Sequence, residues 1–322
     1  MKKIIINSTE VYVGNCIELN SLIPDAENIL LVTDSNVQEL YARKIKHTLL
    51  YSIKPGEDSK NTKNYYDIIN LLAGHNYTRD DVLVALGGGV VTDLAGFAAS
   101  TYKRGINFIS IPTSLLGMID ASIGGKNGIN LKEGKNLLGT FYDADRTIVD
   151  IDFLNTLDVK EIRNGTAEMI KYAAVCDKSL FRNLQISETA IRRCIEIKKE
   201  FVEKDYYDLG NRKALNFGHT IGHAIETDSK YKIKHGEAIA MGMVMITELS
   251  EKMGLSKEGT VLELKKKLDR FGLKTSYNKS IGELMPYIKQ DKKVKDNNTI
   301  DLTIIPEIGS YKIVNLNLDL LK

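Results

Sequence analysis

Residues 81–93, DVLVALGGGVVTD, decide the fold. The first six make a short apolar run of the kind found in strands buried on both faces. Gly87, Gly88 and Gly89 follow at once, and helix-like sequence resumes at Val90. Glycines at such a junction let the backbone approach a pyrophosphate, whose charge is favoured by free amides at a helix N-terminus. The run departs from the GxGxxG fingerprint, and a bare triple glycine also serves as a tight turn. Similar runs occur at residues 28–33 (NILLVT), 48–53 (TLLYSI), 108–112 (FISIP) and 147–151 (TIVDI). Alternating with helix-like segments, they predict parallel strands with crossover helices. Open sheets of this class bind ligands at the carboxyl edge of the strands. Asp34 and Asn36 fall there and could hold a ribose or cap the next helix. The turn at residues 55–60, PGEDSK, falls at another strand end.

Beyond about Leu154 the pattern becomes mostly helical, with predicted helices at residues 158–176, 187–203, 219–226, 238–252 and 260–271. Residues 299–306 and 311–316 read as a short hairpin. The expected division is an α/β domain over residues 1–153 and a mostly helical domain over 154–322, a length that can bury two cores. A net charge of +2, without a basic block, argues against nucleic acid as a partner. No apolar stretch approaches the roughly 20 residues that span a bilayer, and the N-terminal apolar run is too short for a signal peptide. Cys16, Cys176 and Cys194 are odd in number and lack close pairing, so they read as reduced, buried thiols of a cytoplasmic protein.

Three of the five histidines, His219, His223 and His235, lie in LNFGHTIGHAIETDSKYKIKHGEA. Converging imidazoles suit zinc, and the spacing of four puts His219 and His223 on one helical face. The bland alternative is a buried helix whose histidines hydrogen-bond to backbone. A glycine- and lysine-rich stretch, DASIGGKNGIN followed by GKN, sets Lys126 and Lys135 where an anion could approach, or else forms a solvated loop. Arg104, in TYKRG, could act in the same way. Glu168 and Lys171 share a helical face, a spacing that usually means a surface ion pair; small residues before Glu168 and an apolar continuation favour a buried pair.

GGGVVTDLAGFAASTYKRG, IPTSLL, DASIGGKNGIN, GKNLLGTFY, AEMIKYA, NFGHTIGHAIE, HGEA and DKK together resemble the 3-dehydroquinate synthase family, in its order, from about Asp34 to Asp291. The resemblance implies a catalytic Zn2+ or Co2+ held by Glu168, His219 and His235, two imidazoles and a carboxylate that leave positions open for substrate oxygens. His223 then becomes a substrate-facing acid/base group. It further implies substrate contacts from Asp120, Lys126, Asn136, Lys171, Lys198, Asp208, Arg212, Asn216 and Lys292 or Lys293. Arg104 would reach the phosphate of a neighbouring subunit in a homodimer. Asp34, Asn36, Glu57, Lys60, Gly88, Gly89, Val90, Asp93, Thr113, Ser114, Lys126, Lys135, Phe153 and Thr156 match positions around NAD.

The implied reaction converts 3-deoxy-D-arabino-heptulosonate 7-phosphate to 3-dehydroquinate and phosphate, a step of the shikimate pathway. It runs by transient oxidation, phosphate elimination, reduction and intramolecular aldol closure. Four residues depart from the family pattern: Asp208 replaces glutamate, Ser114 threonine, Met118 glutamine and Asn127 threonine. The competing readings are another sugar-phosphate cyclase, such as a 2-deoxy-scyllo-inosose synthase, and a polyol dehydrogenase of the glycerol dehydrogenase type. Lys126, Lys135 and Lys171 favour a doubly anionic substrate over a polyol, and Asn216 with the DKK run favours dehydroquinate formation. A non-enzymatic dinucleotide sensor would leave the converging ligands without a reason.

Overall fold

Each of the five apolar runs forms a strand in the structure, a computed structural model that describes residues 1–289, 294–295 and 298–321. The chain divides into two units, Met1–Asp158 and Val159–Lys322. The short helical turn Ile151–Thr156, where the sequence places the boundary, groups with the first unit.

In the first unit the elements run β1 (Lys2–Ile6), β2 (Thr9–Gly14), β3 (Ile29–Asp34), α1 (Ser35–Tyr41), β4 (Leu49–Ile53), α2 (Thr62–Gly74), β5 (Val82–Gly87), α3 (Gly89–Thr101), β6 (Asn107–Pro112), β7 (Lys126–Leu131), β8 (Gly134–Phe141) and β9 (Arg146–Asp150). Seven strands make one sheet in the order β1-β2-β9-β6-β5-β3-β4. All neighbours are parallel except β1 and β2, whose hairpin turns through Asn7 at φ 49°. Leu30, Leu83 and Ala85 of the central strands pack with Val91, Leu94, Phe97 and Ala98 of α3, which explains the unbroken apolar character of both segments. From β3 the chain steps outward to β4, and from β5 it steps the other way to β6. The carboxyl ends of β3 and β5 therefore flank a topological switch point, the usual crevice for a nucleotide in such sheets.

The second unit contains α4 (Val159–Cys176), α5 (Lys178–Arg182), α6 (Glu188–Lys204), α7 (His219–Asp228), α8 (His235–Lys252), α9 (Thr260–Arg270), α10 (Ile281–Ile288) and the strands β10 (Val294–Lys295), β11 (Thr299–Ile304) and β12 (Lys312–Asn317). Residues 164–175 of α4 are all buried, and α4 packs against α6 and α8. β11 and β12 form the expected antiparallel hairpin, Thr299 facing Asn317. Among the described residues, no helix is long and apolar enough to cross a membrane.

Four expectations change. Residues 126–141 form the antiparallel hairpin β7–β8 rather than a solvated loop. α8 begins at His235, three residues before the expected start, because the segment lacks a capping side chain: Lys234 occupies the N-cap without a side-chain hydrogen bond. α10 starts at a capping box made by Ser280 and Glu283, an unclaimed signal. Of the three cysteines only Cys194 is buried; Cys16 is exposed. The Cys16 thiol donates to Asp152 at 2.9 Å, and that hydrogen bond pushes its pKa upward.

α7 and α8 approach closely at Gly218, which precedes His219 with φ +79°. A Cβ there would lie 2.5 Å from Met243 Cγ and 2.7 Å from the Met243 backbone nitrogen. Gly218→Ala therefore combines left-handed strain of about 1–2 kcal/mol with overpacking of about 1–3 kcal/mol. Its urea midpoint is expected to fall well below that of the wild type; an unchanged midpoint would contradict this packing.

Candidate active site

The second unit brings its titratable residues together through two close helix contacts. At the start of α8, the Gly236 amide donates to Asn164 Oδ1 of α4 at 2.5 Å. A Cβ on Gly236 would overlap the Asn164 backbone, so the glycine of HGE is what lets α8 start against α4. That contact sets His235 beside Glu168. Packing of α7 on α8 adds His219, and the three ring centroids of His219, His223 and His235 lie 5.4–5.9 Å apart.

Glu168 is fully buried. Its carboxylate meets the Lys171 ammonium, His219 Nε2 at 3.7 Å and His235 Nε2 at 3.4 Å. His219 Nδ1 lies 3.1 Å from the Phe217 carbonyl oxygen, which can only accept. Nδ1 therefore carries a proton, and Nε2 is the ring nitrogen that faces Glu168. One ligand atom from each of Glu168, His219 and His235 lies within 4.8 Å of the others, and so do atoms of His223, Glu226 and His235. Burial works to lower the His235 pKa, but hydrogen bonds and charge from Glu168 and Glu226 outweigh it and push it up to about 10. Two carboxylates facing one imidazole place an excess of negative charge that suits a dication. The buried acid and two imidazoles match the donor set of a catalytic zinc or cobalt site.

Lys171, Lys198 and Arg212 are buried cations of the same unit. Lys198 lies on the inner face of α6, while Arg212 and Asn216 belong to the helical turn Asn211–Asn216, which packs on α4 and α6. Arg212 Nη1 donates to the Tyr206 carbonyl at 2.6 Å. Burial acts to raise the Asp205 carboxyl, yet amides of Leu209, Gly210 and Arg212 outweigh it and hold it below the ordinary range. Asp208 lies in the bend that precedes the helical turn, at φ 59°. His223 is exposed. Lys292 and Lys293 lie outside the described residues.

The first unit gathers the cofactor candidates at the carboxyl edge of its sheet. Asp34 Oδ1 accepts from the Asn36 and Val37 amides at 3.0 and 3.1 Å, so Asp34 caps α1. Both bonds use one oxygen, which leaves Oδ2 for a ribose hydroxyl; capping and binding are compatible. Gly88 is the N-cap of α3, and Gly89 and Val90 open the helix. Thr113 and Ser114 follow β6, and Ser114 Oγ accepts from the Gly117 amide at 3.2 Å. Asp120 lies in the turn Gly117–Ala121 beside Met118, which is fully buried and so demands no hydrogen bond of its own. Asn127 uses its amide to hold the base of the hairpin, donating to Gly125 and Tyr142 carbonyls at 2.8 Å. Phe153 stacks edge-on against Tyr41, whose hydroxyl lies 2.6 Å from Thr156 Oγ1. Lys126 begins β7, Lys135 lies on β8, and Arg104 is exposed at φ 63°.

Buried Lys60 pairs with Asp93 and donates to Asn136 Oδ1 at 2.6 Å. Asn130, absent from the sequence expectations, ties this group together. Its Nδ2 donates to Glu57 Oε1 at 2.7 Å, and its Oδ1 accepts from the Asn136 amide at 3.0 Å. Cofactor candidates and one substrate candidate thus share a polar network. Glu226 and Asn164 were missed in the same way. Only the SxxE-like local patterns are readable along a chain, and these partners lie 9, 73 and 72 residues apart.

Comparisons with known proteins identify the family. The family model described as 3-dehydroquinate synthase N-terminal matches residues 50–164, and the one described as 3-dehydroquinate synthase C-terminal matches residues 165–294. A 3-dehydroquinate synthase of Clostridium acetobutylicum is 43% identical over 302 residues, covering 88% of this chain and 85% of the relative. Among solved structures, a 2-epi-5-epi-valiolone synthase from Streptomyces hygroscopicus with NAD+ and Zn2+ bound is 27% identical, with a TM-score of 0.86 over 100% of this chain and 96% of that one. A 2-deoxy-scyllo-inosose synthase complexed with carbaglucose-6-phosphate, NAD+ and Co2+ has a TM-score of 0.88 at 23% identity, over 99% and 97% of the two chains, and shows the shared fold. With two family models matched across most of its length, the chain belongs to the 3-dehydroquinate synthase family.

Proposed function

We propose that this protein is a 3-dehydroquinate synthase that takes 3-deoxy-D-arabino-heptulosonate 7-phosphate to 3-dehydroquinate and phosphate. The observation that carries the reading is the fully buried Glu168 carboxylate facing the Nε2 atoms of His219 and His235. These three residues would hold Zn2+ or Co2+. The carboxyl edge of the first unit would hold NAD, with Asp34 toward a ribose and the α3 N-terminus toward the pyrophosphate. When bound, the metal supplies a Lewis acid and NAD a reversible hydride acceptor. The chain's own groups do the rest. Lys171, Lys198 and Arg212 bind the substrate's anionic groups, where burial strengthens charge-assisted contacts. His223, exposed beside the other two rings, moves a proton at a ring nitrogen. Lys126, Asn136 and Lys292 or Lys293 complete the substrate contacts, and the chain works as a homodimer in which Arg104 reaches the neighbouring phosphate.

The test is phosphate release from the heptulosonate phosphate with NAD and zinc, followed alongside absorbance for NADH. Phosphate and 3-dehydroquinate should appear together without NADH accumulating, because oxidation and reduction use one bound cofactor. NADH rising in proportion to product, or NADH formed from glycerol, would replace this reading with a polyol dehydrogenase.

A further inference from the structure

We propose that Glu226 is a positioning residue for the metal, fixing the ring of His235 and strengthening it as a donor. This rests on the metal reading of Glu168, His219 and His235. Glu226 is buried on α7, and its Oε2 lies 3.1 Å from His235 Nδ1. A carboxylate can only accept, so Nδ1 carries a proton, and Nε2, 3.4 Å from Glu168, is the ring nitrogen left for a metal. The two ring ligands are oriented differently. His219 leans on a neutral backbone carbonyl, at Phe217, which no side-chain change removes. His235 leans on a full negative charge, which polarises the imidazole and raises its basicity toward a cation. His235 also needs the help more: it stands at the first position of α8, partly exposed, whereas His219 is buried.

The same atoms allow a rival role, because His223, Glu226 and His235 also come within ligand distance of one another. In that arrangement Glu226 is itself a ligand and Glu168 is not. Zinc affinity measured by chelator competition on the full-length protein separates the two. Glu226→Ala should still bind one zinc, with affinity about 10–100-fold weaker than wild type. Glu226→Gln, which keeps an acceptor oxygen without the charge, should fall between the two. With cobalt, the visible absorption band of both variants should keep its wild-type shape, since the ligand set is unchanged. Zinc binding by Glu226→Ala within twofold of wild type, with the fold intact by circular dichroism, would overturn the proposal. So would complete loss of metal in Glu226→Gln with metal retained in Glu168→Gln. Wild-type protein that binds no stoichiometric zinc would overturn the metal reading itself, a different failure.

Discussion

His235→Ala and Glu168→Ala are each expected to abolish stoichiometric zinc binding and turnover, the two losses appearing together in metal analysis and phosphate release. Each removes one of the three proposed ligands, and two remaining donors would hold a zinc ion far more weakly. Their effects on the fold should differ. His235 is partly exposed at the start of α8, and its loss takes one partner from each of the buried carboxylates Glu168 and Glu226. Glu168 is fully buried against Lys171, which is itself 1% exposed. Truncating one partner of a buried pair strands the other charge and typically costs about 3–5 kcal/mol. Both variants should therefore unfold at lower urea, Glu168→Ala by the larger margin because the charge it strands is fully buried. Full metal occupancy and activity in either variant would remove the ligand assignment.

The contrast between those two positions illustrates what the sequence carried and what it did not. The strands β3, β5, β6 and β9 were legible because burial on both faces leaves mostly apolar residues in each run, and β4, partly buried at the sheet edge, was legible from its run TLLYSI. β8 was not, because five of its eight residues are exposed, so no core-facing pattern marks it. β1 and β2 lie at the sheet edge, where β1 exposes three of its five residues. For the helices, α4, α6 and α9 followed their apolar periodicity closely. α8 was placed late, since its first turn is defined by contact with Asn164 rather than by a cap.

The site divides along the same line. Glu168, His219 and His235 carry chemistry in their residue types and recur in recognisable motifs. Glu226 and Asn130 close the runs NFGHTIGHAIE and DASIGGKNGIN, but their partners, His235 and Glu57, are brought to them only by the fold. Asn127 and Met118, departures from the family pattern, find local reasons in the fold. Asn127 closes the hairpin with two carbonyl contacts, and Met118 fills apolar space.

His223→Ala is expected to keep the metal and lose about 10²–10⁴-fold in rate, roughly 3–5 kcal/mol of barrier, the usual worth of a positioned acid/base group. His219→Ala, four residues earlier on the same helix, should lose metal and activity together. Sequence spacing makes the two rings equivalent; geometry does not. His219 is buried, its Nδ1 is held by the Phe217 carbonyl, and its Nε2 faces Glu168. His223 is exposed, and its ligand-distance grouping runs through Glu226 and His235 rather than Glu168. An imidazole in that position can exchange protons with bound substrate and solvent. Metal content and turnover measured on both purified variants decide the matter. Metal lost from His223→Ala and kept in His219→Ala would exchange the two roles, and would move the metal to the His223, Glu226 and His235 group.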